Sequence, residues 1–73
     1  MTKLHAKIVA FVRDFIATHG YSPSFQEIAE GVGTYATTAR LNVIELHRRG
    51  YLIKGEGARN IRLTDEGRNA RAA

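Results

Sequence analysis

SPSFQEIAEGVGTYATTARLNVIELHRRGYLIKGEGARNIRL, residues 22–63, decides the fold. Pro23 pushes Ser22 towards extended backbone, so no helix runs through this point. Ser24-Phe25-Gln26-Glu27 then has the spacing of a capping box. The Ser24 hydroxyl accepts from the Glu27 amide, and the Glu27 carboxylate reaches back to the Ser24 amide. A short helix over about 25–31 follows, burying Phe25, Ile28 and Ala29, and Gly31-Val32-Gly33 breaks it. The next helix spans about 35–49. At about 100° per residue, Ala36, Ala39, Val43 and Leu46 fall on one face. Thr37, Leu41, Ile44 and Arg48 fall on the opposite face, with Arg40 on its flank. Gly50 ends this helix. Tyr51-Leu52-Ile53-Lys54 is β-rich, Gly55-Glu56-Gly57-Ala58 is a turn, and Arg59-Asn60-Ile61-Arg62-Leu63 alternates polar and apolar residues. That is a β-hairpin. Ile61, Leu63 and, near the tip, Arg59 share one face of it, while Asn60 and Arg62 share the other.

Outward from this stretch, Leu4, Ile8, Phe11, Val12, Phe15 and Ile16 recur at helical spacing and predict an amphipathic helix over residues 3–18. Gly20 is its left-handed cap. Beyond the hairpin, Thr64 caps a last short turn, with Asp65 and Glu66 suited to a helix N-terminus. The fold class is α+β: three helices followed by a two-stranded wing. Residues 1–67 form one domain and residues 68–73 a short frayed tail.

The chain of 73 residues carries a formal charge of +4, and position says more than size. The flanks on either side of 34–63 are each neutral. Within 34–63, Arg40, Arg48, Arg49, Lys54, Arg59 and Arg62 stand against only Glu45 and Glu56, which accounts for the whole excess. A basic segment between neutral flanks suggests a polyanionic partner. With no cysteine there is neither a disulfide nor a thiolate metal site, and a cytoplasmic setting fits. Lys3, Lys7 and Arg13 interrupt any signal-peptide core, and no apolar run is long enough for a membrane span. His5, His19 and His47 lack metal-ligand spacing, so no metal or other cofactor is expected. No nucleophile–base pair and no glycine loop with a phosphate lysine is present. Nothing here predicts an enzyme or a small-molecule substrate.

The order helix, helix, tight turn, helix, basic hairpin is that of a winged helix-turn-helix. Tyr21-Ser22-Pro23-Ser24, Glu27-Ile28-Ala29, Val32-Gly33, Gly50-Tyr51-Leu52-Ile53 and Arg59-Asn60-Ile61-Arg62-Leu63, in that order, resemble the DNA-binding domain of LexA-type repressors over about residues 4–63. The resemblance implies a DNA-binding transcriptional repressor of bacterial or phage type. Two features depart from it. The turn before the third helix is one residue shorter, and the family's self-cleaving serine–lysine protease domain does not follow within these residues. Autoproteolysis is therefore not expected of this sequence.

A helix fits the major groove and reads bases from its N-terminal half. Thr37, Thr38, Arg40 and Leu41 occupy that half. Thr37, Arg40 and Leu41 also match base-contacting positions in LexA-type repressors. Arg40 can fork onto guanine O6 and N7, and Leu41 can meet a thymine methyl. Arg48 serves either a phosphate or the helix dipole. Lys54, Arg59 and Arg62 decorate the wing, with Arg59 the favoured contact. The expected partner is double-stranded DNA, bound by a chain that is monomeric in solution and pairs on DNA. Leu41 and Ile44 leave an alternative: an apolar patch of a winged helix that binds protein.

Overall fold

Thr2 starts the first helix. Its hydroxyl accepts from the His5 amide at 3.0 Å, and α1 runs Lys3–His19 before Gly20 closes it at φ 78°. These and the elements that follow come from a computed structural model, which describes residues 1–57 and 59–69. The capping box forms as expected: Ser24 Oγ accepts from the Glu27 amide at 3.2 Å, and Glu27 Oε1 accepts from the Ser24 amide at 2.9 Å. From it α2 runs Phe25–Val32. Gly31 does not break this helix; it lies inside, and the left-handed cap is Gly33 at φ 78°. The reason is tertiary. A Cβ at Gly31 would stand 2.0 Å from Cε2 of Phe11, so the bare glycine lets the α1 ring lie on α2.

The third helix, α3, spans Ala36–Arg48, slightly inside the expected bounds, with Gly50 beyond it at φ 85°. The hairpin strands are shorter than the alternation implied: β1 is Leu52–Lys54 and β2 is Ile61–Leu63. They pair antiparallel, with Leu52 opposite Leu63, Ile53 opposite Arg62 and Lys54 opposite Ile61. Arg59 and Asn60 belong to the tip, not to β2. Asn60 closes that tip, donating from its side chain to the Glu56 carbonyl at 2.9 Å while its own carbonyl accepts from Gly55 at 2.7 Å. The last turn is a five-residue helix, α4, over Asp65–Asn69. Thr64 Oγ1 caps it by accepting from the Gly67 amide at 3.0 Å, and ties it to the wing's base by donating to the Gly50 carbonyl at 2.5 Å. Of the frayed tail expected over 68–73, Arg68 and Asn69 thus belong to α4, and residues 70–73 lie outside the described residues.

Ile8, Val9 and Val12 of α1, Ile28 and Ala29 of α2, Ala39, Val43 and Leu46 of α3, Leu52 and Ile61 form one buried cluster. Each large aliphatic side chain buried this way stabilises the fold by roughly 1.5–3 kcal/mol relative to exposure. The buried face of α1 is turned from the expected one: His5 and Val9 are buried, while Leu4, Phe11 and Ile16 only edge the core. The wing is part of the core rather than an appendage, because Leu52 and Ile61 enter it from adjacent strands. This is a winged helix: α2 and α3 flank a tight turn, and the hairpin lies directly after α3.

Candidate nucleic-acid interface

Ala39, Val43 and Leu46 press α3 against the core, each with no exposed surface, and this fixes which side of the helix faces outward. Thr37, Arg40, Leu41 and Arg48 are exposed on the outer side, and Thr38 is partly covered. Leu41 is 57% exposed. Ile44 is partly buried, which leaves Leu41 as the outward apolar residue of that pair. Asn42 is used locally, its amide donating to the Thr38 carbonyl at 2.8 Å.

The basic side chains divide by partner. Among the described residues, Arg40, Lys54 and Arg62 make no ion pair. Arg48 and Arg49 share one carboxylate, with Glu45 accepting from Arg49 Nε at 2.7 Å and lying 3.5 Å from Arg48 Nη1. The Arg49 hydrogen bond is the main reason the Glu45 carboxyl sits below its ordinary range. Arg48 remains turned to solvent across the longer contact.

Arg59 is placed differently from its sequence reading, because its strand ends before reaching it. Its Nη1 donates to Glu27 Oε1 at 2.5 Å and to the Ser22 carbonyl at 3.2 Å, and its guanidinium lies over the Tyr21 ring at 5.2 Å. The arginine hydrogen bond, followed by the Ser24 amide, holds the Glu27 carboxyl down at about 2. One carboxylate therefore both caps α2 and anchors the hairpin. Ser22 adds a second tie, accepting from the Ile61 amide at 3.0 Å. On the other side, the Lys54 amide approaches His47 Nδ1 at 3.2 Å, and the Leu52 carbonyl lies 3.2 Å from the same nitrogen. One tautomer accepts from Lys54 and the other donates to Leu52; either links the end of α3 to β1.

The wing thus stands in a set attitude beside α3, with Ile53 and Arg62 opposite each other on its exposed face and Lys54 partly covered near the tip. One exposed residue escaped the sequence reading. Tyr35, at the start of α3, is 82% exposed, the largest value among the exposed large apolar side chains. Its signal was present: an aromatic residue stood where Ser, Thr, Asp or Asn is preferred.

Histidines do not assemble a site. His5 is buried in α1, His19 lies against Phe15 and His47 against β1. Among the described residues no three His, Asp or Glu side chains gather as metal ligands, and no helix is long and apolar enough to cross a membrane.

Comparison with known proteins adds a family. A profile described as the LexA DNA binding domain matches residues 1–59. The chain is similar to the LexA repressor of Pseudothermotoga lettingae, 35% identical over 63 residues that cover 86% of this chain and 32% of that protein. It is 33% identical to the LexA repressor of Thermotoga maritima over 70 residues, covering 94% of this chain and 36% of the relative. It is also 38% identical to LexA repressor 1 of Nocardia farcinica over 53 residues, covering 70% and 24%. The chain spans about a third of the length of the first two relatives.

Proposed function

Since the chain belongs to the family of LexA DNA-binding domains, we propose that it binds double-stranded DNA in a sequence-specific manner and acts as a transcriptional repressor module in the bacterial cytoplasm. Helix α3 reads the major groove through Thr37, Thr38, Arg40 and Leu41, and Arg48 meets phosphate at its far end. Lys54 and Arg62 of the wing grip the backbone. Arg59 holds the wing where those contacts are possible, from its seat on Glu27. The observation that carries this reading is the outward side of α3. A helix pinned by Ala39, Val43 and Leu46 presents, between Thr37 and Leu41, an arginine that makes no ion pair among the described residues, beside a wing tied to the same scaffold.

The experiment is a duplex titration at several salt concentrations. Neutralising about four to six phosphates gives a slope of about −4 to −5 in log K against log salt. Selection from a random duplex pool then yields a preferred site, which binds more tightly than random duplex. A flat salt response would remove the DNA reading and favour the rival one, in which exposed Leu41 is part of a protein-binding surface.

A further inference from the structure

Tyr35 is the least covered of the exposed large apolar side chains, at 82%, and it stands at the entrance to α3. The other helices begin differently. Thr2 caps α1, Ser24 caps α2 and Thr64 caps α4, each hydroxyl accepting from an amide of its own first turn. At α3 the capping position holds a tyrosine, which makes no side-chain cap. A phenol cannot fold back onto its own helix as a short hydroxyl side chain does. Its backbone is extended, at φ −100° and ψ 154°, so the side chain leaves ahead of the first helical turn. Tyr35 directly precedes the N-terminal half of α3, from which Thr37, Arg40 and Leu41 are exposed.

We infer that Tyr35 is a further DNA contact, its hydroxyl donating to a backbone phosphate at the edge of the groove that α3 enters. The inference rests on the duplex-binding reading above. A residue ahead of the first turn lies beyond the side chains that face base edges, where the groove is walled by phosphates. Tyrosine is among the residues that supply neutral donors to phosphate oxygens. With only two side-chain torsions it offers that donor at a small entropy cost. Such a contact sets the depth and register of the helix without reading sequence, and it adds no charge.

The test compares the 73-residue chain with Tyr35→Phe and Tyr35→Ala on two probes: the duplex selected by the wild-type chain, and a random-sequence duplex of equal length. Both variants keep the wild-type thermal midpoint, because the side chain is exposed and takes part in no hydrogen bond among the described residues. Tyr35→Phe weakens both duplexes by the same factor, roughly three- to ten-fold. The salt slope stays unchanged, because a neutral donor releases no counterion. Tyr35→Ala loses at least as much. Binding by Tyr35→Phe within two-fold of wild type, or a loss confined to the selected duplex, overturns the assignment while wild-type binding keeps the DNA reading intact. Failure of the wild-type chain to bind either duplex removes that reading and the role of Tyr35 together.

Discussion

Arg40 and Arg59 carry the same charge and end in different chemistry. Arg40 projects from the outer side of α3 with no ion pair among the described residues, so its planar fork is available for guanine. Arg40→Ala should cost about 1–3 kcal/mol on the preferred duplex and relax selectivity at one base pair. Titration of singly substituted duplexes checks this; an equal loss on preferred and random duplexes would make Arg40 a phosphate contact. Arg59 is satisfied by Glu27 and the Ser22 carbonyl, so its substitution acts on the fold. The Glu27 carboxyl, ordinarily near 4.5, is held at about 2, first by the Arg59 hydrogen bond and then by the Ser24 amide. A carboxyl depressed on folding contributes stability that is present above the unfolded value and lost as pH falls through the folded one. The thermal midpoint should therefore fall between about pH 4.5 and pH 2, and Arg59→Ala should shrink the part of that fall due to Glu27. Melting curves of both proteins across this range decide it. A pH profile unaltered by Arg59→Ala would mean that Glu27 feels only its own helix.

Helix ends were legible because their chemistry is local. Ser24 and Glu27 lie three residues apart, and their two hydrogen bonds appear as the spacing predicts. Ser24→Ala should destabilise the fold by about 0.5–2 kcal/mol while leaving duplex affinity of the folded protein nearly unchanged, since Ser24 positions a scaffold helix. Denaturation and titration at a temperature where the variant stays folded separate the two effects. Partners distant in sequence were not legible. Gly31 resembled a helix breaker, but the Phe11 ring occupying its missing side chain comes from another helix. Alternation carried Arg59 into a strand, because Glu27 lies 32 residues away and leaves no periodic trace. Gly67 is the sharpest such case. It is buried, and a Cβ there would stand 2.0 Å from the Tyr51 carbonyl oxygen, a backbone atom that cannot swing aside. Glycine thus lets α4 close on the wing's base, where Thr64 also binds Gly50. Gly67→Ala should cost about 1–3 kcal/mol, read from chemical denaturation. A variant as stable as wild type would show that α4 can move off without consequence.

For the whole molecule, charge and shape point to the same side. The net charge of +4 comes from the segment between residues 34 and 63, which holds α3 and the wing. The large apolar side chains left exposed are scattered: Tyr21 after α1, Tyr35 and Leu41 on α3, Ile53 on the wing. Tyr35, Leu41 and Ile53 lie on the proposed DNA side, the last paired with Arg62, and Tyr21 lies under the Arg59 guanidinium. A stable dimer needs roughly 1,000 Å² of well-matched surface, and isolated residues of this kind do not supply it. One winged helix also covers only about 600–1,000 Å² at DNA, too little for tight specific binding alone. The 73-residue chain should therefore be a monomer in solution that pairs on DNA at two half-sites about one helical turn, or a multiple, apart. Sedimentation at micromolar concentration should return the single-chain mass. A duplex with two half-sites should bind more tightly per site than one with a single half-site, with a steeper dependence on protein concentration. Inserting half a helical turn between the half-sites turns the second protein to the opposite side of the duplex and should abolish that advantage. A dimer in free solution, or cooperativity indifferent to spacing, would require an interface that these four exposed side chains do not form.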